Sequence, residues 1–457
     1  MVNIDSEIFK AYDIRGTYPD QVNAEVFFLF GKVYLEFIEG DRVVIGRDAR
    51  PSSFELFKAL TAGIEEQGGQ VINIGEATTP LLYFSVNYFQ ADGGLMITAS
   101  HNPAGYNGLK VTKEKAIPVH GESLKEINEL MQDRNVENLE RKMSEIQPDT
   151  REIKQDYLKR LLNKIDTESI NIDQEIAVDC GNGMAGLLVE PLLNELGVDY
   201  ELLYEEPDCT FPNHEANPLK EETLEDLKDL MKKENIELGI AFDGDADRVA
   251  FVTKETIVGG DYITALLAEE QLKNKEEVVV YDLRSSKVVP EVIENSNGKA
   301  VKTRVGHSFI KQTMRDEEAV FAGELSSHYY YPFKIKNQRS YFESPLLAVL
   351  QILRKLGSNK TLNELVEPLK KYHQSGEINF EVDDKQQVMN KLEEHYKDEA
   401  DEVSHLDGVS IEFDNWWFNV RPSNTQPVLR LNLEAETEQL MKEKTREVKT
   451  LVRNSSG

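Results

Sequence analysis

Short apolar runs alternate with segments of helical spacing three times along this chain, and this alternation constrains the fold more than any other feature. The three series open with the runs 42–46, 176–179 and 278–281. Strands that alternate with helices are typical of βαβ units, because a parallel connection needs a crossover segment. The sequence therefore predicts three similar α/β domains with parallel or mixed sheets.

The pattern changes after about residue 372. The runs 378–382, 409–413 and 428–431 alternate apolar and polar residues, as half-buried antiparallel strands do. A chain of 457 residues is also too long for one core. We therefore expect three α/β domains and a smaller α+β C-terminal domain around a central cleft. The predicted bounds are 1–150, 151–254, 255–370 and 371–457, with the acidic stretch 122–156 as a solvated helical connector.

The net charge of the chain limits the classes of partner that it can bind. The formal net charge is −30, from 52 basic and 82 acidic residues, which argues against nucleic acid because phosphate backbones bind Lys and Arg. An anionic substrate would need local basic clusters to overcome this field. No apolar stretch has the length of a membrane span, no signal-peptide pattern opens the chain, and two cysteines stand far apart. We expect a cytoplasmic monomer or weak homo-oligomer without a membrane or nucleic-acid partner.

A serine follows the third apolar run of the first series. Ser100 stands just after the run 94–97 and before Pro103. Proline fixes its own φ and extends the residue before it, so the loop is shaped. Ligands of open α/β sheets bind at the carboxyl ends of strands, where Ser100 would emerge. A serine presented in this way can carry a covalent group, although the segment also fits an inert polar turn.

Three carboxylates follow the run 238–242 in the second series. Asp243, Asp245 and Asp247 stand at alternate positions around Gly244. Such oxygen ligands suit Mg²⁺, which leaves room for waters or a phosphate oxygen and so indicates phosphoryl chemistry. Arg248, the next residue, can hold a phosphate. An exposed acidic turn is the alternative, and the position after a buried strand favours the metal site.

Two further loops carry polar groups. Glu324 and Ser326 alternate along an extended segment, so their side chains share one side and can bind neighbouring sugar hydroxyls. The loop 421–427 combines a guanidinium with hydroxyls and an amide, which suits a dianionic phosphate. Taken singly, each loop also fits a packed or surface segment.

Residues 181–186 match G-x-G-x-x-G between a strand and a helix, with Glu205 after the next strand. This is the context of a dinucleotide-binding loop, so an oxidoreductase is a competing class. A glycine-rich turn also lets a helix pack closely on its strand. We favour this structural role, because no other loop calls for a nicotinamide.

The loops 98–103, 243–248, 323–328 and 421–427 together resemble, in order, the motifs of the α-D-phosphohexomutase superfamily. The chain most resembles its bacterial and archaeal phosphomannomutase/phosphoglucomutase branch, and the segments 11–16 and 211–214 are also similar to it. The resemblance implies reversible conversion of a hexose 6-phosphate into its 1-phosphate with Mg²⁺. It also implies a phosphoserine enzyme and a hexose 1,6-bisphosphate that serves as intermediate and activator.

The resemblance implies a role for each matching residue. The catalytic residues would be Ser100, Arg15, Lys110 and His328, and the metal ligands Ser100, Asp243, Asp245 and Asp247. The residues that bind the sugar phosphate would be Tyr12, Arg248, Lys287, His307, Glu324, Ser326, Arg421, Ser423, Asn424 and Thr425. Two positions depart from the family, because Ser327 stands where glycine is usual and Gln426 where glutamate is common.

The preferred sugar stays open among mannose, glucose and glucosamine, so a mutase for an amino-sugar phosphate is one alternative. A non-catalytic sugar-phosphate sensor and an NAD-binding protein are alternatives from other classes.

Overall fold

The computed structural model describes residue 2 and residues 4–147, 149–170, 174–273, 276–423 and 428–455. Its packing divides the chain into two compact units. Unit 1 comprises Met1–Val258 with Ser326–Asn363, and unit 2 comprises Gly259–Leu325 with Glu364–Gly457. The finer division at residues 150, 254 and 370 stays a prediction.

The strands are numbered in chain order. They are β1 Ile14–Thr17, β2 Arg42–Arg47, β3 Gln70–Glu76, β4 Gly93–Ile97, β5 Tyr106–Lys113, β6 Ile176–Asp179, β7 Tyr200–Leu203, β8 Leu238–Phe242, β9 Val249–Val252, β10 Val278–Asp282, β11 Lys299–Thr303, β12 Phe321–Gly323, β13 Tyr329–Ile335, β14 Gln338–Glu343, β15 His373–Gln374, β16 Ile378–Phe380, β17 Glu402–Ser404, β18 Val409–Glu412, β19 Trp416–Pro422 and β20 Leu429–Ala435.

The α-helices are α1 Ala24–Ile38, α2 Ser53–Glu66, α3 Thr79–Phe89, α4 Glu122–Gln132, α5 Leu139–Glu145, α6 Lys154–Leu162, α7 Gly186–Leu196, α8 Glu225–Glu234, α9 Gly260–Gln271, α10 Val288–Asn295, α11 His307–Asp316, α12 Pro345–Leu356, α13 Leu362–Val366, α14 Lys385–Tyr396 and α15 Glu438–Ser455. Short 3-10 helices occupy Ser6–Ile8, Glu114–Ala116, Thr167–Ser169, Glu221–Leu224 and Glu367–Leu369.

The first sheet of unit 1 has the order β1-β5-β4-β2-β3. Its pairs β2–β3 and β2–β4 are parallel, whereas β5 runs antiparallel to both β4 and β1. Helices α1 and α2 approach closely through two glycines, since a Cβ on Gly31 would lie 2.4 Å from the Leu60 carbonyl oxygen and one on Gly63 would lie 2.2 Å from that of Phe28. The turn from β4 into β5 carries Ser100 and returns the chain so that Lys110 pairs with Met96.

The second sheet of unit 1 repeats this arrangement. Its order is β7-β6-β8-β9, with parallel pairs β6–β7 and β6–β8 and an antiparallel last strand β9. The turn from β8 into β9 carries the aspartates 243–247. In both sheets, the loop that carries the polar residues therefore joins a buried parallel strand to an antiparallel neighbour. Unit 1 also contains the antiparallel hairpin β13–β14.

Unit 2 has a parallel part and an antiparallel part. Strand β10 pairs in parallel with β11 and β12, and α9 packs against α10 beside them. The C-terminal strands form an antiparallel sheet of order β15-β20-β19-β18-β17, in which β16 also pairs with β20. Helices α14 and α15 pack on this sheet around Val388, Leu392, Val448 and Val452. The chain is thus built of three α/β parts and a smaller α+β part, as the sequence predicts.

The expected solvated connector at 122–156 is wrong over its first part, α4, whereas α5 has no fully buried residue. Leu124, Ile127 and Met131 on α4 are buried in the core of the first sheet, and α4 packs on α1. Their spacing of three and four residues places them on one face of the helix. The acidic residues on the other face, among them Glu126, dominate the composition and hide this apolar stripe. None of the helices in the described part of the chain is long and apolar enough to span a membrane.

This burial predicts a stability effect within α4. Replacing Ile127 by alanine removes a fully buried side chain, so the free energy of unfolding should fall by about 2 to 5 kcal/mol. The exposed Glu126→Ala should change it by less than about 0.5 kcal/mol. Urea unfolding of both variants measures the difference. Equal effects would show that α4 is the solvated connector after all.

Candidate active site

Ser100 lies in a strained, buried turn after β4. Its φ is 49°, in the left-handed region that residues with a Cβ seldom adopt. The Thr98 hydroxyl accepts a hydrogen bond from its backbone N–H at 2.9 Å. Its own Oγ donates to Asp243 Oδ2 at 2.9 Å and lies 3.1 Å from His101 Nδ1. The turn therefore presents the serine hydroxyl to the aspartate loop, away from solvent.

Arg50, which the sequence analysis missed, holds this turn in place. Its guanidinium donates to four backbone carbonyls at 2.6 to 3.0 Å, those of Ser100, Asn102, Pro103 and Tyr106. Asp48 accepts from its Nε at 3.1 Å, and both side chains are buried. The position of Asp48 and Arg50 directly after β2, a parallel neighbour of β4, is the sequence signal that could have revealed them.

The three aspartates form one buried cluster. The exposed fractions of Asp243, Asp245 and Asp247 are 0%, 0% and 4%, and one carboxylate oxygen of each lies within 4.8 Å of those of the others. Asp243 Oδ1 accepts from the backbone N–H groups of Asp247 and Arg248 at 3.1 Å each. Thr79 at the start of α3, which the sequence analysis also missed, donates to Asp245 Oδ2 at 2.5 Å. This cluster is not the exposed acidic turn of the alternative interpretation.

Lys110 places a cation among these carboxylates. Its Nζ lies 2.5 Å from Asp245 Oδ2 and 2.6 Å from Asp247 Oδ2. Burial alone would lower the pKa of Lys110, but the neighbouring carboxylates outweigh burial and raise it. Burial and the charges of Asp247 and Asp245 raise the pKa of Asp243 to about 8. Burial also acts on Asp247, but the ammonium of Lys110 holds its pKa well below the usual value.

The donor set suits a divalent cation. Asp245 Oδ1 is buried and accepts no hydrogen bond from the described residues. Lys110 lies between Asp245 and Asp247, and Arg248 Nε is 3.9 Å from Asp243 Oδ2. Carboxylate oxygens without nitrogen or sulfur donors are the ligands of hard ions such as Mg²⁺. The cluster can therefore hold a metal ion.

A histidine and two arginines complete the site in unit 1. His328 Nε2 lies 3.3 Å from both Asp247 Oδ1 and Arg248 Nε, and its Nδ1 is 3.1 Å from Ser326 Oγ. Arg15 pairs with Asp13, and its Nη1 donates to Asn102 Oδ1 at 2.9 Å, so it lies beside the Ser100 turn. Tyr12 is half-buried in the turn before β1.

Ser327 adopts a left-handed backbone. Its φ is 64°, and its carbonyl oxygen accepts from the Val249 N–H at 3.1 Å. Glycine reaches this conformation without strain, which explains physically why glycine suits this position. Ser327 as a whole is only 1% exposed.

The glycine loop 181–186 serves packing. A Cβ on Gly186 would lie 1.9 Å from the Glu205 carbonyl oxygen, and one on Gly183 would lie 2.9 Å from Gly244 Cα. The Met184 N–H donates to the Gly244 carbonyl oxygen at 3.0 Å. The space and the N–H group that a pyrophosphate would use are therefore occupied by neighbouring backbone, which favours the structural role over dinucleotide binding.

Gly244 also joins the two active loops. A Cβ at this residue would lie 2.4 Å from the Ser100 carbonyl oxygen. The backbones of the serine turn and the aspartate turn therefore meet at a point where only a hydrogen fits.

Unit 2 contains the other predicted residues. Glu324 is buried and accepts from the Gly306 N–H at 3.2 Å, next to His307, which begins α11. Lys287 Nζ donates to the Phe413 carbonyl oxygen at 3.3 Å. Arg421 is buried on β19. Ser423 is half-buried, and Asn424, Thr425 and Gln426 lie outside the described residues.

Family models match nearly the whole chain. Domains I, II and III of the phosphoglucomutase/phosphomannomutase α/β/α models match residues 6–137, 155–259 and 259–372, and the C-terminal domain model matches 377–450. A phosphomannomutase of Methanocaldococcus jannaschii is 41% identical over 98% of both chains. A protein of Xanthomonas campestris with the name "Phosphohexose mutases" is 36% identical over 97% of this chain and 99% of its own length.

A solved structure agrees with these matches. A phosphoglucomutase/phosphomannomutase family protein of Burkholderia thailandensis is similar with a TM-score of 0.86 and 28% identity, over 100% of this chain and 99% of its own. The fold and the site define a phosphoryl-transfer enzyme. The chain belongs to the phosphoglucomutase/phosphomannomutase family and is a phosphohexomutase.

The contacts of Arg50 predict a positioning effect. Arg50→Lys removes the planar guanidinium that donates hydrogen bonds to the carbonyls of the Ser100 turn. The free energy of unfolding should therefore fall by about 2 to 4 kcal/mol. Displacement of the serine should lower turnover about 100-fold. The control is Arg47→Lys, which changes a guanidinium paired with Glu76 at 3.2 Å. Urea unfolding and a mutase assay compare the two, and equal activities would show that Arg50 does not position Ser100.

Proposed function

We propose that this phosphohexomutase interconverts the 6-phosphate and the 1-phosphate of mannose, glucose or both, and carries the transferred phosphoryl group on Ser100. The observation that carries the proposal is the Ser100 hydroxyl, 2.9 Å from Asp243 Oδ2 within a buried cluster of three aspartates and a lysine. Relatives named phosphomannomutase support mannose, and they favour it over an amino sugar.

A magnesium ion held by Asp243, Asp245, Asp247 and the phosphate on Ser100 would neutralise charge on the transferring group. Phosphoryl transfer depends on in-line positioning and neutralised charge. Lys110 stays an ammonium between Asp245 and Asp247, so it adds positive charge at the same place. Arg15 beside the serine turn and Arg248 beside Asp243 can hold the equatorial oxygens of the phosphoryl group.

His328 is suited to the proton transfer of each half-reaction. An imidazole can accept a proton on one nitrogen and donate one from it, and the two nitrogens of His328 contact Ser326 on one side and Asp247 and Arg248 on the other. It can accept the proton of the attacking sugar hydroxyl in the first transfer and donate a proton to the leaving sugar oxygen in the second. The contacts on both nitrogens fix the orientation of the ring.

The reaction balances as two transfers. Phospho-Ser100 donates its phosphoryl group to the free hydroxyl of the sugar phosphate, and the proton of that hydroxyl replaces the phosphoryl group on the serine oxygen, which gives a hexose 1,6-bisphosphate and the free serine. The bisphosphate then turns, and its other phosphate returns to Ser100. The same bisphosphate, supplied from outside, phosphorylates an unmodified enzyme and so acts as the activator.

The remaining predicted residues bind the sugar phosphate. Glu324 and Ser326 would bind sugar hydroxyls, with Tyr12, Lys287 and His307 orienting the ring. Arg421, Ser423, Asn424 and Thr425 would hold the phosphate that is not reacting. These basic groups give an acidic protein the local positive field that an anionic substrate needs.

The proposal predicts the effect of removing the serine hydroxyl. Ser100→Ala should lower turnover at least about a thousandfold and abolish the phosphorylated species in intact-mass spectra taken after incubation with a hexose 1,6-bisphosphate. Ser144 is exposed, and the control Ser144→Ala should keep the wild-type turnover and the phosphorylated species. The assay uses mannose, glucose and glucosamine phosphates in parallel, and the hexoses should turn over faster than the amino sugar. A Ser100→Ala protein with full activity would overturn the proposal, and preference for glucosamine phosphate would favour the amino-sugar mutase.

The proposal also predicts a metal requirement. Treatment with EDTA should abolish turnover, and Mg²⁺ should restore it. Asp245→Asn removes one anionic ligand, so the Mg²⁺ concentration for half-maximal activity should rise more than about tenfold. The exposed Asp229→Asn on α8 is the control. Unchanged Mg²⁺ dependence of Asp245→Asn would exclude the aspartate cluster as the metal site.

A further inference from the structure

Glu377 connects three arginines in unit 2. Its Oε2 accepts from Arg421 Nη2 at 2.9 Å, and its Oε1 lies 3.1 Å from Arg430 Nη1. Arg284 Nη1 lies 4.0 Å from the same carboxylate. Arg421 is the predicted phosphate-binding residue, whereas Glu377, Arg284 and Arg430 have no role in the site so far.

The fold forces these positive charges together. Arg421 on β19 and Arg430 on β20 are direct partners across the two strands, and like charges in such positions repel. Arg284 adds a third guanidinium from the loop after β10. The exposed fractions of the three side chains are only 2%, 19% and 9% for Arg421, Arg430 and Arg284. Buried charges of one sign need a counter-ion, because water is not there to solvate them.

Two other carboxylates lie near the arginine cluster: Asp282 neutralises Arg284, and the charge of Asp407 acts on Arg421. Asp282 binds Arg284 through both oxygens, at 2.6 and 3.3 Å. Asp407 accepts from the Val305 N–H at 3.3 Å and lies 4.0 Å from Arg304. Of these three carboxylates, Glu377 is the one whose oxygens contact both Arg421 and Arg430.

The cluster retains capacity for a stronger anion. Arg421 Nε is buried and meets no hydrogen-bond acceptor among the described residues. Burial and the nearby charge of Arg284 lower the pKa of Arg421 despite the opposing charges of Glu377 and Asp407. A phosphate dianion offers more oxygens and more charge than one carboxylate, so it binds such a cluster more strongly.

We propose that Glu377 is an internal competitor for the substrate's phosphate: its carboxylate holds the arginines until the non-reacting phosphate displaces it. The inference rests on the proposed phosphate-binding role of Arg421. The Glu377 side chain is 28% exposed and follows Gly376, whose φ is 68°, in the link between β15 and β16. It can therefore leave the cluster without unpacking a strand.

The exchange has a use in the proposed reaction. The bisphosphate must leave the phosphate site in order to turn, and this exposes buried guanidinium groups at the moment of departure. A carboxylate that returns to them lowers the cost of that step. Glu377 therefore weakens phosphate binding and speeds its release.

The test is the charge-neutral variant Glu377→Gln, titrated with inorganic phosphate by calorimetry. Without the competing carboxylate, the phosphate dissociation constant should fall about tenfold. In the mutase assay, KM and kcat should fall together, because release becomes slower. In phosphate-free buffer the melting temperature should fall, and added phosphate should restore it.

Three controls test whether the tighter phosphate binding comes from loss of the Glu377 charge and occurs at the arginine cluster. Glu377→Asp keeps the charge and should bind phosphate with nearly the wild-type constant. The exposed Glu381→Gln removes the same charge nearby and should leave phosphate binding unchanged. Arg421→Gln in the Glu377→Gln background should lose the tighter binding, which assigns the bound phosphate to this cluster.

Phosphate binding that is unchanged or weaker in Glu377→Gln would overturn the inference and make Glu377 a structural ion-pair residue. Glu377→Ser, measured in the same way, decides the matter if the glutamine variant fails to fold. Because calorimetry needs no turnover, the result is independent of Ser100. Tighter phosphate binding together with an active Ser100→Ala protein would refute the proposed function alone.

Discussion

The ammonium of Lys110 between Asp245 and Asp247 is the interaction on which the rest of the site depends. It joins β5 of the first sheet to the aspartate turn of the second, at 2.5 and 2.6 Å. Three buried carboxylates without it would repel one another and force the two sheets apart or take up protons. With it, Asp247 keeps its negative charge, and the cluster is compact enough for Asp243 to receive the serine hydroxyl. Packing between the sheets and chemistry at the site therefore rely on the same ion pairs.

The same topological device positions both loops of this site. A buried parallel strand ends, the chain turns, and an antiparallel neighbour leads it back beside the strand. This turn is short and supported on both sides, unlike the long crossover of a βαβ unit. It allows the strained φ of Ser100 and the inward direction of three aspartates, because the adjacent strands fix both ends of each loop. The sugar phosphate can therefore be met by preformed groups.

The sequence predicted the three α/β parts, the C-terminal α+β part and the chemical character of the loops, because each depends on local spacing. Asp243, Asp245 and Asp247 alternate within five residues, and they converge as expected. The roles of Arg50 and Glu377 could not be predicted from local sequence, because their hydrogen-bond partners lie about fifty residues away. The stretch containing α4 was misjudged, since acidic residues outnumbered a narrow apolar stripe. Local pattern thus predicts elements and loops, whereas long-range ion pairs need the fold.

The left-handed backbone of Ser100 has a consequence for which amino acid can serve there. Threonine has the same hydroxyl and, by chemistry alone, could take the phosphate-carrying role proposed for Ser100. Its branched β-carbon, however, is an outlier at a φ of 49°. The backbone conformation, rather than the chemistry of the hydroxyl group, therefore favours serine over threonine at this position. Threonine at this position would therefore strain the backbone, although the genetic code makes the change from serine a single-base step.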